Sequence, residues 1–224
     1  MLKMFALIVA GGSGSRMNSS TPKQFFEILG KPVLMHTLNI FYNFDPTVQI
    51  ILVLPENLVS EWNDLCLKHK FNIPFRFAQG GDTRFQSVKN GLELITEEGI
   101  VFIHDGVRPL VSEKTLKNCL ESTIRKGNAL PVVPVSESVR YIDQDKSMAL
   151  DRTRYFLVQT PQTFRVSEIK KAYQQTYSPL FSDDASVLEN VGIKINTVTG
   201  NRENIKITYP EDIRLAETLF KAWL

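Results

Sequence analysis

The chain has 224 residues, 43% hydrophobic and 22% charged, a balance typical of a globular protein with a real core. The formal net charge of +2 is too small to indicate nucleic acid as the main partner. The longest apolar runs are strand-sized, well short of the roughly 20 residues that a membrane span needs. Met1-Leu-Lys leads straight into the first apolar run, so no signal peptide is expected. Cys66 and Cys119 stand outside any CxxC or Cys/His cluster, which predicts a reduced, cytoplasmic protein.

Apolar runs of strand length alternate with helical patterns through the first 135 residues. Such alternation predicts an α/β fold with a Rossmann-like, doubly wound, mostly parallel sheet, which binds ligands at the carboxyl ends of its strands. The predicted strands are 5–9, 50–54, 75–78, 100–104 and 130–135. The predicted helices are 33–42, 58–69, 85–95 and 113–126.

The alternation breaks at about Ser136, and residues 138–158 predict two strands around the polar turn 143–147. A hairpin inserted in an α/β domain cannot bury both of its faces alone. We therefore predict that 136–160 form a protruding β-arm, through which two copies of the chain make a homodimer. A flap folded onto its own domain is the alternative.

The remaining elements complete a single predicted domain, 1–224. They are helices at 166–177 and 184–191, short strands at 194–198 and 204–207, and a last helix from Pro210, where Pro followed by Glu-Asp suits a helix start.

The first predicted strand runs into Val9-Ala-Gly-Gly-Ser-Gly-Ser-Arg-Met17, which is followed by Pro22-Lys23-Gln24. Its three glycines lack Cβ atoms, so backbone N–H groups can approach an anion closely. Arg16 and Lys23 add full positive charges. The pattern predicts a loop around phosphate, and an ordinary βα turn is the alternative.

Two familiar phosphate-binding motifs are excluded. A Walker A loop needs Lys followed by Ser or Thr directly after its last glycine, and here Ser15-Arg16 follows. A dinucleotide fingerprint needs a third glycine where this chain has Met17.

Gly80-Gly81-Asp82-x-Arg84-x-x-Ser87 follows the predicted strand 75–78 and opens a predicted helix. Small residues at a strand end, followed by Asp and Ser, suit hydrogen bonds to a nucleoside. The alternative is that this motif is only a helix N-cap, with Ser87 merely solvated.

His104-Asp105-Gly-Val-Arg108 ends another predicted strand. Asp105 is placed to hold a phosphate-bound Mg²⁺ or a nucleotide hydroxyl, the alternative being a cap of the helix near Ser112. Arg108 offers a planar fork suited to phosphate. His104 is predicted to be a packed strand-end residue, and the three histidines lack the spacing of a zinc site.

These motifs resemble the signature of sugar-phosphate nucleotidyltransferases, and the chain is similar over essentially its whole length to the 2-C-methyl-D-erythritol 4-phosphate cytidylyltransferases. Further matching blocks are Leu150-Asp-Arg152, Gln159-Thr-Pro-Gln162, Ser182-Asp-Asp-Ala-Ser186 and Asn204-Ile-Lys-Ile-Thr208. The resemblance implies an enzyme that uses Mg²⁺ and transfers a cytidylyl group from CTP to methylerythritol 4-phosphate, releasing pyrophosphate. Its expected partners are therefore two small molecules and a second copy of the chain, with neither nucleic acid nor membrane.

The resemblance also implies residue roles. Catalysis falls to three cations, Arg16, Lys23 and Lys206. CTP contacts fall to Ala10, Gly11, Gly12, Gly81, Asp82, Ser87, Asp105 and Gly106. Contacts to the second substrate fall to Arg108, Ser138, Arg152, Thr160 and Ser182, with Arg152 reaching across the dimer. Asp105 is the expected metal ligand.

The chain departs from the family pattern at a few positions. Gly11 stands where many relatives have alanine, and Ser138 and Ser182 stand where threonine is usual. Ribitol 5-phosphate as the alcohol, UTP as the nucleotide and a catalytically silent nucleotide-binding module remain open alternatives. An NAD-binding protein is disfavoured by the missing glycine pattern.

Overall fold

The computed structural model describes residues 2–12 and 21–223, so Arg16 lies outside the described residues. Within this part of the chain an eight-stranded central sheet carries the fold. Its strands are β1 (Met4–Val9), β4 (Gln49–Leu54), β5 (Arg76–Gln79), β6 (Ile100–Asp105), β7 (Asn128–Pro134), β10 (Phe156–Val158), β11 (Gln162–Arg165) and β12 (Thr197–Thr199). Two small antiparallel pairs lie outside the sheet: β2 (Glu27–Ile28) with β3 (Lys31–Pro32), and β8 (Val139–Asp143) with β9 (Lys146–Leu150).

The sheet has the order β10-β7-β11-β6-β1-β4-β5, with β12 beside β7. β1 is parallel to both β4 and β6, β4 to β5, and β12 to β7. β11 runs antiparallel between β6 and β7, and β10 runs antiparallel to β7. The prediction of a mostly parallel α/β sheet is confirmed. The chain leaves β1 towards β4 on one side and later returns to β6 on the other, so a crevice opens between the ends of β1 and β6.

The described residues form seven α-helices: α1 (Val33–Phe44), α2 (Val59–Lys68), α3 (Arg84–Glu93), α4 (Glu113–Lys126), α5 (Val166–Ala172), α6 (Asp184–Glu189) and α7 (Pro210–Trp223). The first six pack on the sheet, and α7 covers a separate small core. Strand residues alternate between two buried cores, because successive side chains of a strand point to opposite faces. In β1, Ala6 and Ile8 pack with α1, α2 and α4, whereas Phe5 and Leu7 pack with α3, α5 and α6. The central strand β1 is therefore apolar along its whole length, as expected for a strand covered on both faces.

Local capping explains why α4 occupies the predicted range. The Ser112 hydroxyl accepts the Thr115 N–H at 3.1 Å at the start of α4, and Gly127, at φ +93°, ends the helix.

Two predictions about secondary structure were wrong. Helix α5 ends at Ala172 rather than 177, and 204–207 form no strand. Ile207 makes a single backbone bond to Val107 at 2.9 Å and packs in the small core beneath α7.

The predicted hairpin is present as β8 and β9, paired from Val139–Leu150 to Asp143–Lys146. The second strand ends at Leu150 rather than continuing to 158. A 3-10 turn, Arg152–Arg154, follows because the Asp151 carboxylate accepts the Thr153 N–H at 3.1 Å. The chain then returns to the main sheet as β10. Within the described residues no helix is long and apolar enough to cross a membrane.

Candidate active site

A cavity of about 300 Å³ lies at the carboxyl ends of the central strands, where the crevice is expected. Nine of the predicted site residues line it: Ala10, Gly11, Gly12, Lys23, Gly81, Asp82, Ser87, Asp105 and Lys206. Gly106 does not line it. Its N–H donates to the Val9 carbonyl at 2.8 Å, and an added Cβ would lie 3.0 Å from that of Ala10. Gly106 therefore packs the end of β6 closely against β1, behind the cavity lining.

One wall of the first cavity is the turn between β5 and α3. The Ser87 hydroxyl accepts the Gly81 N–H at 3.0 Å, and a Cβ at Gly81 would lie 2.3 Å from the Gln86 Cγ. Glycine is therefore required there. The motif does contain the helix N-cap, at Thr83, whose hydroxyl accepts the Gln86 N–H at 3.0 Å. Ser87 is buried rather than merely solvated.

The opposite wall carries Lys23 on a 3-10 turn, Lys23–Phe25. Gln24 is buried, and its side-chain amide donates to the Ala10 carbonyl at 2.9 Å. This bond ties the turn to the end of β1 and places the Lys23 ammonium beside Gly12, where an added Cβ would lie 3.9 Å from Nζ. The sequence interpretation gave Gln24 no role, although it stands inside the Pro-Lys-Gln motif.

Asp105 lies at the centre of the site among three cations of the described residues. Lys206 Nζ and Arg108 Nε lie 3.0 and 3.2 Å from Oδ2, and Arg84 Nε lies 3.7 Å from Oδ1. Burial raises the pKa of the Asp105 carboxyl, but these cations more than offset it and hold the pKa well below its usual range. Asp105 is ionised, and it does not cap α4, because Ser112 does.

A second cavity, of about 260 Å³, adjoins the first. Arg84, Asp105 and Lys206 line both. Three predicted substrate residues, Arg108, Thr160 and Ser182, line the second cavity. Arg108 also donates to the Asn204 carbonyl at 2.8 Å, so part of its fork is used within the protein.

The Thr160 hydroxyl belongs to a short chain of hydrogen bonds behind the second cavity. It accepts the Asp105 N–H at 3.1 Å, so its own proton goes to His104 Nδ1 at 3.1 Å. His104 Nε2 must then carry the ring proton and donate it to the Arg108 carbonyl at 3.0 Å. Burial lowers the pKa of His104 to about 4, so the ring is neutral. The prediction of a packed His104 at the strand end is confirmed.

The two predicted residues of the arm region line neither cavity of their own chain. Arg152 is exposed and donates to the Ser136 carbonyl, and Ser138 is exposed nearby.

The donor set fits a magnesium ion that arrives with a nucleotide. Mg²⁺ commonly binds through one or two carboxylates together with substrate phosphates and water. Asp82 and Asp105 both line the first cavity. The described residues contain no cluster of three or more His, Cys, Asp or Glu that could hold a metal by itself.

Comparison with known proteins decides the family. The model of the 2-C-methyl-D-erythritol 4-phosphate cytidylyltransferase family matches residues 4–222. The chain belongs to this family. The predictions of a nucleotidyltransferase and of a cytidylyltransferase function are confirmed.

Individual relatives of this cytidylyltransferase agree. A 2-C-methyl-D-erythritol 4-phosphate cytidylyltransferase of Bacteroides fragilis is 52% identical over 215 residues, covering 96% of this chain and 98% of the relative. The crystal structure of a 4-diphosphocytidyl-2C-methyl-D-erythritol synthase of Anaerococcus prevotii superposes with a TM-score of 0.83 at 28% identity, covering 98% and 96% of the two chains. The 2-C-methyl-D-erythritol 4-phosphate cytidylyltransferase of Thermus thermophilus superposes with a TM-score of 0.80 at 28% identity, covering 98% and 100%.

Proposed function

We propose that the protein joins CTP and 2-C-methyl-D-erythritol 4-phosphate into 4-diphosphocytidyl-2-C-methyl-D-erythritol, releasing pyrophosphate. The observation that carries this proposal is the pair of adjoining cavities with a shared wall of Arg84, Asp105 and Lys206. A nucleotide in the first cavity and a phosphorylated alcohol in the second would meet at this wall. The family match favours methylerythritol phosphate over ribitol phosphate as the alcohol.

The reaction is a direct nucleotidyl transfer. An oxygen of the alcohol's phosphate attacks the α-phosphorus of CTP, and the bond from this phosphorus to the bridging oxygen breaks. The bonding electrons leave with pyrophosphate. Such transfers depend on positioning and charge stabilisation rather than on a covalent nucleophile.

Electrostatic repulsion between the two polyanions is the main barrier to their meeting. Two unit charges about 4 Å apart interact by roughly 4 kcal/mol at an effective dielectric of about 20. We assign Lys23 and Arg16 to the α-phosphate in the transition state and Lys206 to the triphosphate. Gln24 and Asp105 support Lys23 and Lys206 through the contacts described above.

Asp105 would hold Mg²⁺ together with the nucleotide phosphates, with Asp82 on the same cavity wall. The metal would supply positive charge to the phosphate oxygens when bound. The chain's own residues hold the nucleotide: the glycine turns bring backbone N–H groups close, and Ser87 keeps the Gly81 turn in shape.

The proposal treats residues 1–224 as one nucleotidyltransferase domain that works as a homodimer through the arm, 136–160. Apolar side chains are exposed along this region, among them Ile142 (69%), Met148 (59%) and Leu157 (58%). Strand β10 also lies at the edge of the sheet with its apolar side chains uncovered. Exposed apolar side chains and an uncovered sheet edge both favour a protein partner, and a second copy would bring Arg152 to the second cavity. A cytoplasmic location is part of the proposal, and the two free cysteines favour it.

Pyrophosphate release tests this function. Purified protein is given Mg²⁺, CTP and methylerythritol 4-phosphate. In parallel reactions ribitol 5-phosphate replaces methylerythritol 4-phosphate, and UTP or ATP replaces CTP. We expect release with CTP and methylerythritol 4-phosphate. Release only with ribitol 5-phosphate would change the substrate and keep the chemistry, and silence with every pair would indicate a nucleotide-binding module without catalysis.

A further inference from the structure

Arg84, the first residue of α3, forms an ion pair to which the sequence interpretation gave no role. Its two terminal nitrogens donate to both oxygens of Asp184 at 2.7 and 2.6 Å. Asp184 is fully buried at the first position of α6. Because a two-point contact between guanidinium and carboxylate fixes orientation as well as distance, the Arg84 fork has one defined position.

Further contacts hold this pair in place. The Tyr173 hydroxyl donates to Asp184 Oδ1 at 2.6 Å, and the next residue of α3, Phe85, stacks on the Tyr173 ring with centroids 4.6 Å apart. Phe181 stacks on Phe85 from the segment that leads to α6, at 5.7 Å. The start of α3, on the nucleotide side, is therefore packed against the segment that supplies Ser182 to the second cavity.

The third nitrogen of Arg84 faces the centre of the site. Nε lies 3.7 Å from Asp105 Oδ1, while Arg108 and Lys206 contact Oδ2. Each carboxylate oxygen of Asp105 thus faces at least one cation, and rotation of the carboxylate would lose a contact on one side. Asp105 in turn holds Lys206 at 3.0 Å, at the wall between the cavities.

We infer that Arg84, clamped by Asp184, is a positioning residue that fixes Asp105, and through it Lys206, at the shared wall of the two cavities. This inference rests on the proposed function, because its kinetic consequence concerns the cytidylyl transfer. Charge alone is not enough for this role. The residue must bond both oxygens of Asp184 and still present a donor towards Asp105, which a lysine cannot do.

The variant R84K tests the inference, since it keeps a positive charge beside Asp184 and removes the fork. We expect a melting temperature close to that of the wild type, kcat lower by about ten- to a hundredfold, and a CTP Kd changed by less than about threefold, because misplacement of catalytic groups costs turnover more than ground-state binding. R76K, on the exposed strand β5, is the matched control and should behave as wild type. A kcat for folded R84K within about twofold of the wild type would overturn the inference.

Two further measurements keep the test decisive. If R84K does not fold, Y173F replaces it, because it keeps both charges and removes only the hydroxyl on Asp184. A kcat loss of about threefold or more, at an unchanged melting temperature, supports the inference, and an unchanged kcat contradicts it.

If the wild type shows no cytidylyl transfer, the proposed function fails, and crystal structures of wild type and R84K decide the positioning role. A turned Asp105 carboxylate in R84K supports that role, and an unmoved carboxylate with the same Lys206 contact contradicts it.

Discussion

The two cavities of this cytidylyltransferase are built in different ways. The first is closed by bonds within its own chain: Ser87 shapes the Gly81 turn, Gln24 ties the Lys23 turn to β1, and Asp105 holds Lys206. In the second cavity, Arg108 spends one of its donors on the Asn204 carbonyl of the same chain. The other arginine predicted for this cavity, Arg152, lies on the exposed arm region. We therefore propose that one chain binds the nucleotide, whereas binding of the alcohol phosphate requires two.

The largest expected effect concerns the first cavity. Lys23→Ala should lower kcat by about a thousandfold and weaken CTP binding much less, because a preorganised charge acts mainly on the transition state. Steady-state kinetics with a separate CTP binding measurement check this. Lys31→Ala, a lysine outside both cavities, is the control. Equal losses in CTP binding and in turnover would contradict the transition-state role.

Arg152→Ala should affect the second cavity and spare the first. We expect the KM for methylerythritol 4-phosphate to rise by about a hundredfold, since the substrate phosphate loses a charged partner, with CTP affinity unchanged. Arg154→Ala, in the same 3-10 turn, is the matched control for the charge of the arm region. Loss of CTP affinity in the Arg152→Ala variant would contradict the claim that Arg152 serves only the second cavity.

Ser87→Ala should have a smaller effect, confined to the nucleotide. The Gly81 N–H loses its acceptor and the turn loosens, so the KM for CTP should rise by about tenfold. Ser122→Ala removes another buried hydroxyl, one that donates to the Asn128 carbonyl at 3.2 Å, and should leave both KM values unchanged. Equal kinetic losses in the two variants would point to general destabilisation.

The last prediction concerns stability rather than kinetics, and it depends on His104, behind the second cavity. His104 stays neutral in the folded protein down to a pKa of about 4, whereas the unfolded chain takes up a proton near pH 6.5. The unfolded state therefore binds more protons between these values, and stability falls as the pH drops from about 6.5 to 4, by on the order of 3 kcal/mol. His104→Gln keeps an acceptor and a donor but does not titrate, so denaturant unfolding of this variant should lack that loss. The same slope in both proteins would contradict the assignment.

The sequence predicted best what depends on local chemistry. Helix α4 has the predicted bounds because a serine cap and a left-handed glycine mark its ends. The predicted strand at 204–207 was wrong. Its alternating isoleucines resemble a strand pattern, but Ile207 packs in a core beneath α7 that forms only in the folded chain.

The candidate site shows the same division. The glycine turns, Lys23 and Asp105 belong to short motifs, and the structure brings them together. The bond between Arg84 and Asp184 joins residues 100 positions apart. No local pattern indicates such a pair, and its partners become apparent only when the fold brings the starts of α3 and α6 together.

The most direct test of a site shared between two chains is complementation. Lys23→Ala and Arg152→Ala chains are co-expressed, and the cytidylyl transfer of the mixture is compared with that of each variant alone. In a two-fold symmetric dimer, half of the molecules are mixed, and each mixed dimer holds one site with Lys23 from one chain and Arg152 from the other. The account predicts recovery of about a quarter of the wild-type activity. Activity no higher than that of the single variants would show that each chain completes its second cavity alone.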